Sequence, residues 1–242
     1  MDFISSASYK AELKKRRRIR RIKRIIGKSV VWTLSVLLIT CLIFLFVNII
    51  GSAKKPHNDE FMNSNQSLNK SINEQYDFEA IKMPDYVNKQ LLNVGCARTG
   101  QMLDSINNIV IHYVGNPNTT AKNNRDFFAM ESTEVCSHFV IGLKGEVIQC
   151  VPLNERSAAS NHRNKDTISI EVCHPDKTGK FNKATYDSLV KLTSWLCETF
   201  DLKSDDVIRH YDITGKECPL YYVNNPNEWK AFIKDVEKAI KK

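Results

Sequence analysis

The chain has 242 residues, enough for one ordinary domain with appendages or for two small domains. Its formal net charge of +8 sits at one end: residues 1–28 carry eleven Lys and Arg against Asp2 and Glu12, leaving 24 basic and 25 acidic side chains for everything that follows. A body with no basic excess has nothing to hold a phosphate backbone, which argues against a nucleic-acid-binding role.

Directly after the basic tail, residues 29–50 read SVVWTLSVLLITCLIFLFVNII and contain no charged side chain. About 20 apolar residues span a ~30 Å hydrocarbon core as a helix, so this run is expected to cross a lipid bilayer. The basic residues precede the run, which predicts a cytoplasmic N-terminus with the remainder of the chain outside the cell membrane. A cleaved signal peptide is the alternative, although its apolar core usually runs only ~7–15 residues. Residues 51–80 are polar, rich in Asn, Ser and Lys, and read as a flexible linker.

From residue 81 onward, elements follow one another with short connections. INNIVIHYV at 106–114 is nearly continuous and β-branched, the pattern of a strand buried on both faces. A short helix is expected at 123–130. Runs at 138–141 and 146–151 flank Leu143-Lys144-Gly145 and predict a β-hairpin. TISIEVC at 167–173 is a further strand. Tyr186, Leu189, Val190, Thr193, Leu196, Cys197 and Phe200 recur at helical spacing, predicting an amphipathic helix over 182–200. A short strand is expected at 207–211. A last helix begins at Pro226, with Asn225 as cap and Glu228 placed for a capping box. Strands mixed with helices in this order predict an α/β fold: one domain over 81–242, with a central mixed sheet flanked by helices.

Seven cysteines are present, Cys41 in the apolar run and six after it. Their spacing shows no disulfide framework, and Cys150 and Cys197 fit as small buried apolar residues. Of the six histidines, His57 lies in the linker, while His112 and His210 end the strand runs IVIHY and VIRHY. Cys218 follows His210 after seven residues. Imidazole nitrogen and thiolate sulfur are good zinc ligands, and three protein ligands with one open position is the usual catalytic arrangement. By spacing alone, a histidine at a strand end is more often a hydrogen-bonded structural residue. His138, which begins a strand, reads as one.

Four motifs, NNIVIHYVGNP (107–117), CSHFVIGLKGEVIQCVP (136–152), TISIEVCH (167–174) and VIRHYDITGKECP (207–219), occur in this order. Together they resemble the zinc-dependent N-acetylmuramoyl-L-alanine amidases, whose fold is shared by peptidoglycan recognition proteins. The resemblance implies zinc as cofactor, with His112, His210 and Cys218 as ligands. It implies Glu171 as general base, Lys216 as a cationic donor near the scissile carbonyl, and a segment around His162 bordering the substrate groove. Several relatives carry a catalytic Tyr where this chain has Ser137, which favours the Glu-using mechanism. Asp212 is expected to orient a metal-bound imidazole, and His174 has no assigned role. The implied reaction is hydrolysis of the amide between N-acetylmuramic acid and L-alanine in peptidoglycan. Two alternatives stand beside it: a non-catalytic peptidoglycan-binding module, and a zinc peptidase acting on another amide.

Overall fold

Short runs of β-branched and aromatic residues build the centre of the fold. The computed structural model describes residues 72, 74–95 and 97–240, all within one compact unit. The basic tail, the apolar run 29–50, His57 and most of the expected linker lie outside the described residues. Among the described residues no helix is long and apolar enough to cross a membrane.

The strands are β1 (Val87–Lys89), β2 (Asn108–Tyr113), β3 (Phe139–Ile141), β4 (Val147–Gln149), β5 (Thr167–Val172) and β6 (Val207–Arg209). They form a mixed sheet in the order β1-β4-β3-β5-β2-β6. Only the β3–β4 hairpin is antiparallel; the other neighbours are parallel. The hairpin turn closes through Gly142 N–H donating to Glu146 O (2.8 Å). Gly145, at φ +82°, allows the turn to lie against the neighbouring helix, since a Cβ there would stand 2.8 Å from Ala184 O.

The helices are α1 (Ala121–Phe128), α2 (Lys183–Thr199), α3 (His210–Thr214), α4 (Leu220–Asn224) and α5 (Pro226–Ile240). Alternation along the strands sends Ile109, Ile111, Ile168 and Ile170 to one face, where they pack with Leu189, Leu192 and Leu196 of α2 and Phe232 and Val236 of α5. Each such side chain contributes about 1.5–3 kcal/mol by leaving water. Val140 and Ile148 point to the other face and meet Ala121 and Phe128 of α1. The strand positions that alternate with the isoleucines, including His112 and Glu171, face this second layer. Sheet and helices thus match the expected α/β architecture.

Several boundaries differ from expectation. Helix α1 starts at Ala121 rather than 123, because Thr120 Oγ accepts from Asn123 N–H (3.1 Å) while Asn123 Oδ1 accepts from Thr120 N–H (3.1 Å). The expected strand 207–211 stops at Arg209: Asp212 Oδ2 captures the Arg209 N–H (2.9 Å) and starts α3 at His210. At α5, the Glu228 N–H goes to the Asn225 carbonyl, and the Asn225 side chain donates instead to Tyr221 O. The packed unit also begins before residue 81. Ile72 is fully buried in the main core, and the Tyr76 hydroxyl donates to Phe200 O (3.2 Å). Strand β1 and helix α4 lie in stretches too short to show a periodicity. The described cysteines, Cys136, Cys150, Cys173, Cys197 and Cys218, are all free thiols and buried.

Candidate metal centre

Three ligand-type residues from distant parts of the chain converge at the C-terminal ends of β2 and β6. His112 is the fifth residue of β2, His210 the first of α3, and Cys218 lies in the loop between α3 and α4. All three are buried, and one ligand atom from each falls within 4.8 Å of the others. Cys218 Sγ stands 3.8 Å from His112 Nδ1, and the two imidazole centroids are 4.6 Å apart. Two ligands bound at ~2.0–2.1 and ~2.3 Å with a tetrahedral angle would stand about 3.6 Å apart.

The outward nitrogens are already engaged. His112 Nε2 lies 3.3 Å from Ser160 Oγ, and His210 Nε2 lies 2.8 Å from Asn161 Oδ1. His210 Nδ1 is buried with no protein partner, a lone pair that calls for a positive or hydrogen-bonding neighbour. Burial holds both imidazoles below their ordinary pKa, His112 well below it, with the Lys216 charge adding to the effect. Neutral imidazoles are the form that binds metal. Burial pushes the Cys218 thiol up to about 12, opposed by the backbone N–H of Tyr113 and the charge of Lys216. A cation between the three groups would reverse that thiol shift. The donor set therefore fits a zinc ion.

Glu171 joins this group through sheet register. It pairs with His112 across β5 and β2, so both side chains leave the sheet on one face. Its Oε1 is 4.0 Å from His112 Nδ1, and its Oε2 is buried without a partner. Burial raises the carboxyl to about 8, while Lys216 pulls it down. Lys216 is exposed at the rim.

His112, His210, Cys218, Glu171 and Lys216 all line one cavity of about 540 Å3, to which Phe127, Phe128 and Val135 contribute apolar surface. A polar hollow adjoins it past His210 and Lys216, bordered by Glu134, Asn161, Asn164 and Thr214. His162 is exposed and lines a neighbouring depression with Thr99, Gln101, Arg156 and Lys165, which shares Ala158, Asn161 and Asn164 with that hollow.

Asp212, expected to orient a ligand, pairs instead with Arg209 (Oδ1 to Nη2, 2.6 Å). Ser160 and Asn161 occupy the positions expected of it; Ser160 caps and Asn161 opens a one-turn 3-10 segment, Asn161–Arg163, where spacing gives no signal. His138 is structural, as read from the sequence: its Nε2 donates to Glu155 O (2.8 Å) and its Nδ1 accepts from Ser169 N–H (3.0 Å). Ser137 is buried and donates to Phe139 O (2.8 Å). His174 is buried beside Tyr113, with Nδ1 donating to Asp176 O (2.7 Å).

Residues 102–220 match the family described as N-acetylmuramoyl-L-alanine amidase. The chain is similar to the N-acetylmuramoyl-L-alanine amidase CwlL of Bacillus licheniformis, 28% identical over 160 residues, covering 59% of this chain and 44% of the relative. It is 31% identical over 156 residues to the N-acetylmuramoyl-L-alanine amidase BlyA of Bacillus subtilis (strain 168), covering 56% and 42%. The chain thus spans less than half the length of these relatives. Among solved structures, the catalytic domain of XlyA superposes with a TM-score of 0.55 at 22% identity, covering 62% of this chain and 98% of that one. PlyL gives a TM-score of 0.56 at 22% identity, covering 62% and 96%. These two likenesses establish the fold.

Proposed function

Because residues 102–220 match the N-acetylmuramoyl-L-alanine amidase family, we propose that the chain hydrolyses the amide joining the lactyl group of N-acetylmuramic acid to L-alanine in peptidoglycan. The observation that carries this reading is the convergence of His112, His210 and Cys218 within 4.8 Å, beside a partly buried carboxylate, in the wall of an open cavity. His112 and His210 through Nδ1, and Cys218 through Sγ, would hold zinc. Zinc at such a site supplies a Lewis acid and lowers the pKa of a water from 15.7 to about 7.

The protein's own residues divide the remaining work. Glu171 is the general base: its carboxylate stands beside the ligand group, Oε1 4.0 Å from His112 Nδ1, where it can take a proton from water and return it to the leaving amine. Lys216 sets a positive charge at the cavity rim, where it favours the oxyanion formed at the lactyl carbonyl. The apolar wall of Phe127, Phe128 and Val135 excludes water from one side of the bond and packs against the methyl-bearing stem peptide. The apolar run at 29–50 supports tethering at the outer face of the cell membrane, with the polar linker giving reach to the wall.

The test is a defined muramoyl-L-alanyl peptide incubated with the enzyme before and after chelation. Release of the L-alanine amine, its loss on chelation and its return with zinc are the expected results. Release that survives exhaustive chelation would overturn the metal-dependent reading.

A further inference from the structure

Both candidate metal-binding histidines are held from behind by consecutive residues of a single turn. Ser160 Oγ is 3.3 Å from His112 Nε2, and Asn161 Oδ1 is 2.8 Å from His210 Nε2. The turn is itself braced. Asn164 Oδ1 accepts from both Ala159 N–H (3.1 Å) and Ser160 N–H (2.6 Å), and Asn164 N–H closes onto Asn161 O (3.1 Å). Asn161 also adopts φ +54°, a left-handed conformation uncommon for a non-glycine residue. Strain of this kind persists where the surroundings over-determine the residue, and here it aims the amide at His210.

The chemistry of that contact is directional. A carboxamide oxygen only accepts, so the proton of His210 must sit on Nε2, which leaves the lone pair on Nδ1. Nδ1 is the buried atom that has no protein partner, on a ring that places a ligand nitrogen within 4.8 Å of the ligand atoms of His112 and Cys218. Resting on the zinc reading above, we infer that the Ser160–Asn161 turn is a positioning element: Asn161 fixes the tautomer and ring orientation of His210, and Ser160 steadies His112, so that both Nδ1 atoms are ready for metal before it arrives. Asn161 does not touch the metal and is not a ligand.

The full chain, stripped of metal, is titrated with zinc against a chromogenic chelator. The variants are Asn161→Gly, which keeps the left-handed backbone and removes the acceptor, and Asn161→Asp, which keeps an acceptor oxygen. Asn161→Gly is expected to weaken zinc binding by roughly 10–100-fold, with the melting temperature of the metal-free protein unchanged. Asn161→Asp is expected to bind at least as tightly as wild type, and Ser160→Ala to fall between. Wild-type affinity in Asn161→Gly would overturn the inference, as would a loss that Asn161→Asp fails to restore. A wild-type chain that binds no zinc at all would sink the metal reading itself, a result distinct from equal binding by wild type and variant.

Discussion

His138 makes the fold sensitive to mild acid in a way that can be calculated. Its ring is fully buried, with Nε2–H donating to Glu155 O and Nδ1 accepting from the Ser169 N–H. A second ring proton would confront the Ser169 N–H, and burial lowers its pKa to about 4 from the ordinary 6.5. Between those values the unfolded chain binds the proton and the folded chain does not. Stability therefore rises with pH across this window and is lost as pH falls from about 6.5 towards 4. Integrating the linkage from pH 7 to pH 5 gives a loss of about 2 kcal/mol from this residue, at ~1.4 kcal/mol per pH unit well inside the window. The assay is urea denaturation at both pH values, in chelator, for wild type and His138→Gln. The variant is less stable at pH 7, because Glu155 O and Ser169 N–H lose a fitted partner, but its stability should fall by about 2 kcal/mol less on acidification. Equal acid sensitivity in the two proteins would refute the reasoning.

Lys216→Met should lower turnover by about 10²–10³-fold while leaving zinc content intact, measured by steady-state kinetics beside elemental analysis; equal loss of both would refute its role at the carbonyl. Glu171→Gln, close to isosteric at the cavity wall, should reduce kcat by roughly 10²–10⁴-fold with an unchanged circular dichroism spectrum. Phe139→Ala, at a fully buried position of the central sheet, should cost about 3–5 kcal/mol in urea denaturation.

The sequence reveals most where burial imposes a pattern. Continuous β-branched runs mark β2 and β5 because both faces of a central strand are covered. Asn182 and Phe200 bracket α2 as expected because the helix is long and its cap is local, Asn182 Oδ1 accepting from Thr185 N–H (3.0 Å). The three ligand-type residues stand out through family motifs rather than spacing, since nothing local to IVIHY or VIRHY distinguishes a ligand from a structural histidine. Sheet register is a property of pairing, so the adjacency of His112 and Glu171 cannot be read from either strand alone. The same holds for Ser160 and Asn161, whose part depends on a left-handed turn meeting two rings from other elements. Asp212 does not orient an imidazole because its nearest strong donor is Arg209, three residues back, and the local capping contact wins. Ile72 and Tyr76 are isolated apolar residues in a polar stretch, so only their packing, Ile72 in the core and Tyr76 against Phe200, ties the stretch before residue 81 to the domain.

The central claim is that this zinc-type site cuts the muramoyl–alanine amide, and mass spectrometry of a peptidoglycan digest tests it most directly. Wild-type protein and Cys218→Ala are incubated with purified peptidoglycan, and the soluble products are identified. The expected result is stem peptides bearing a free L-alanine amine with wild type and none with Cys218→Ala. Cleavage only at peptide–peptide bonds, or equal release by the two proteins, would contradict the account.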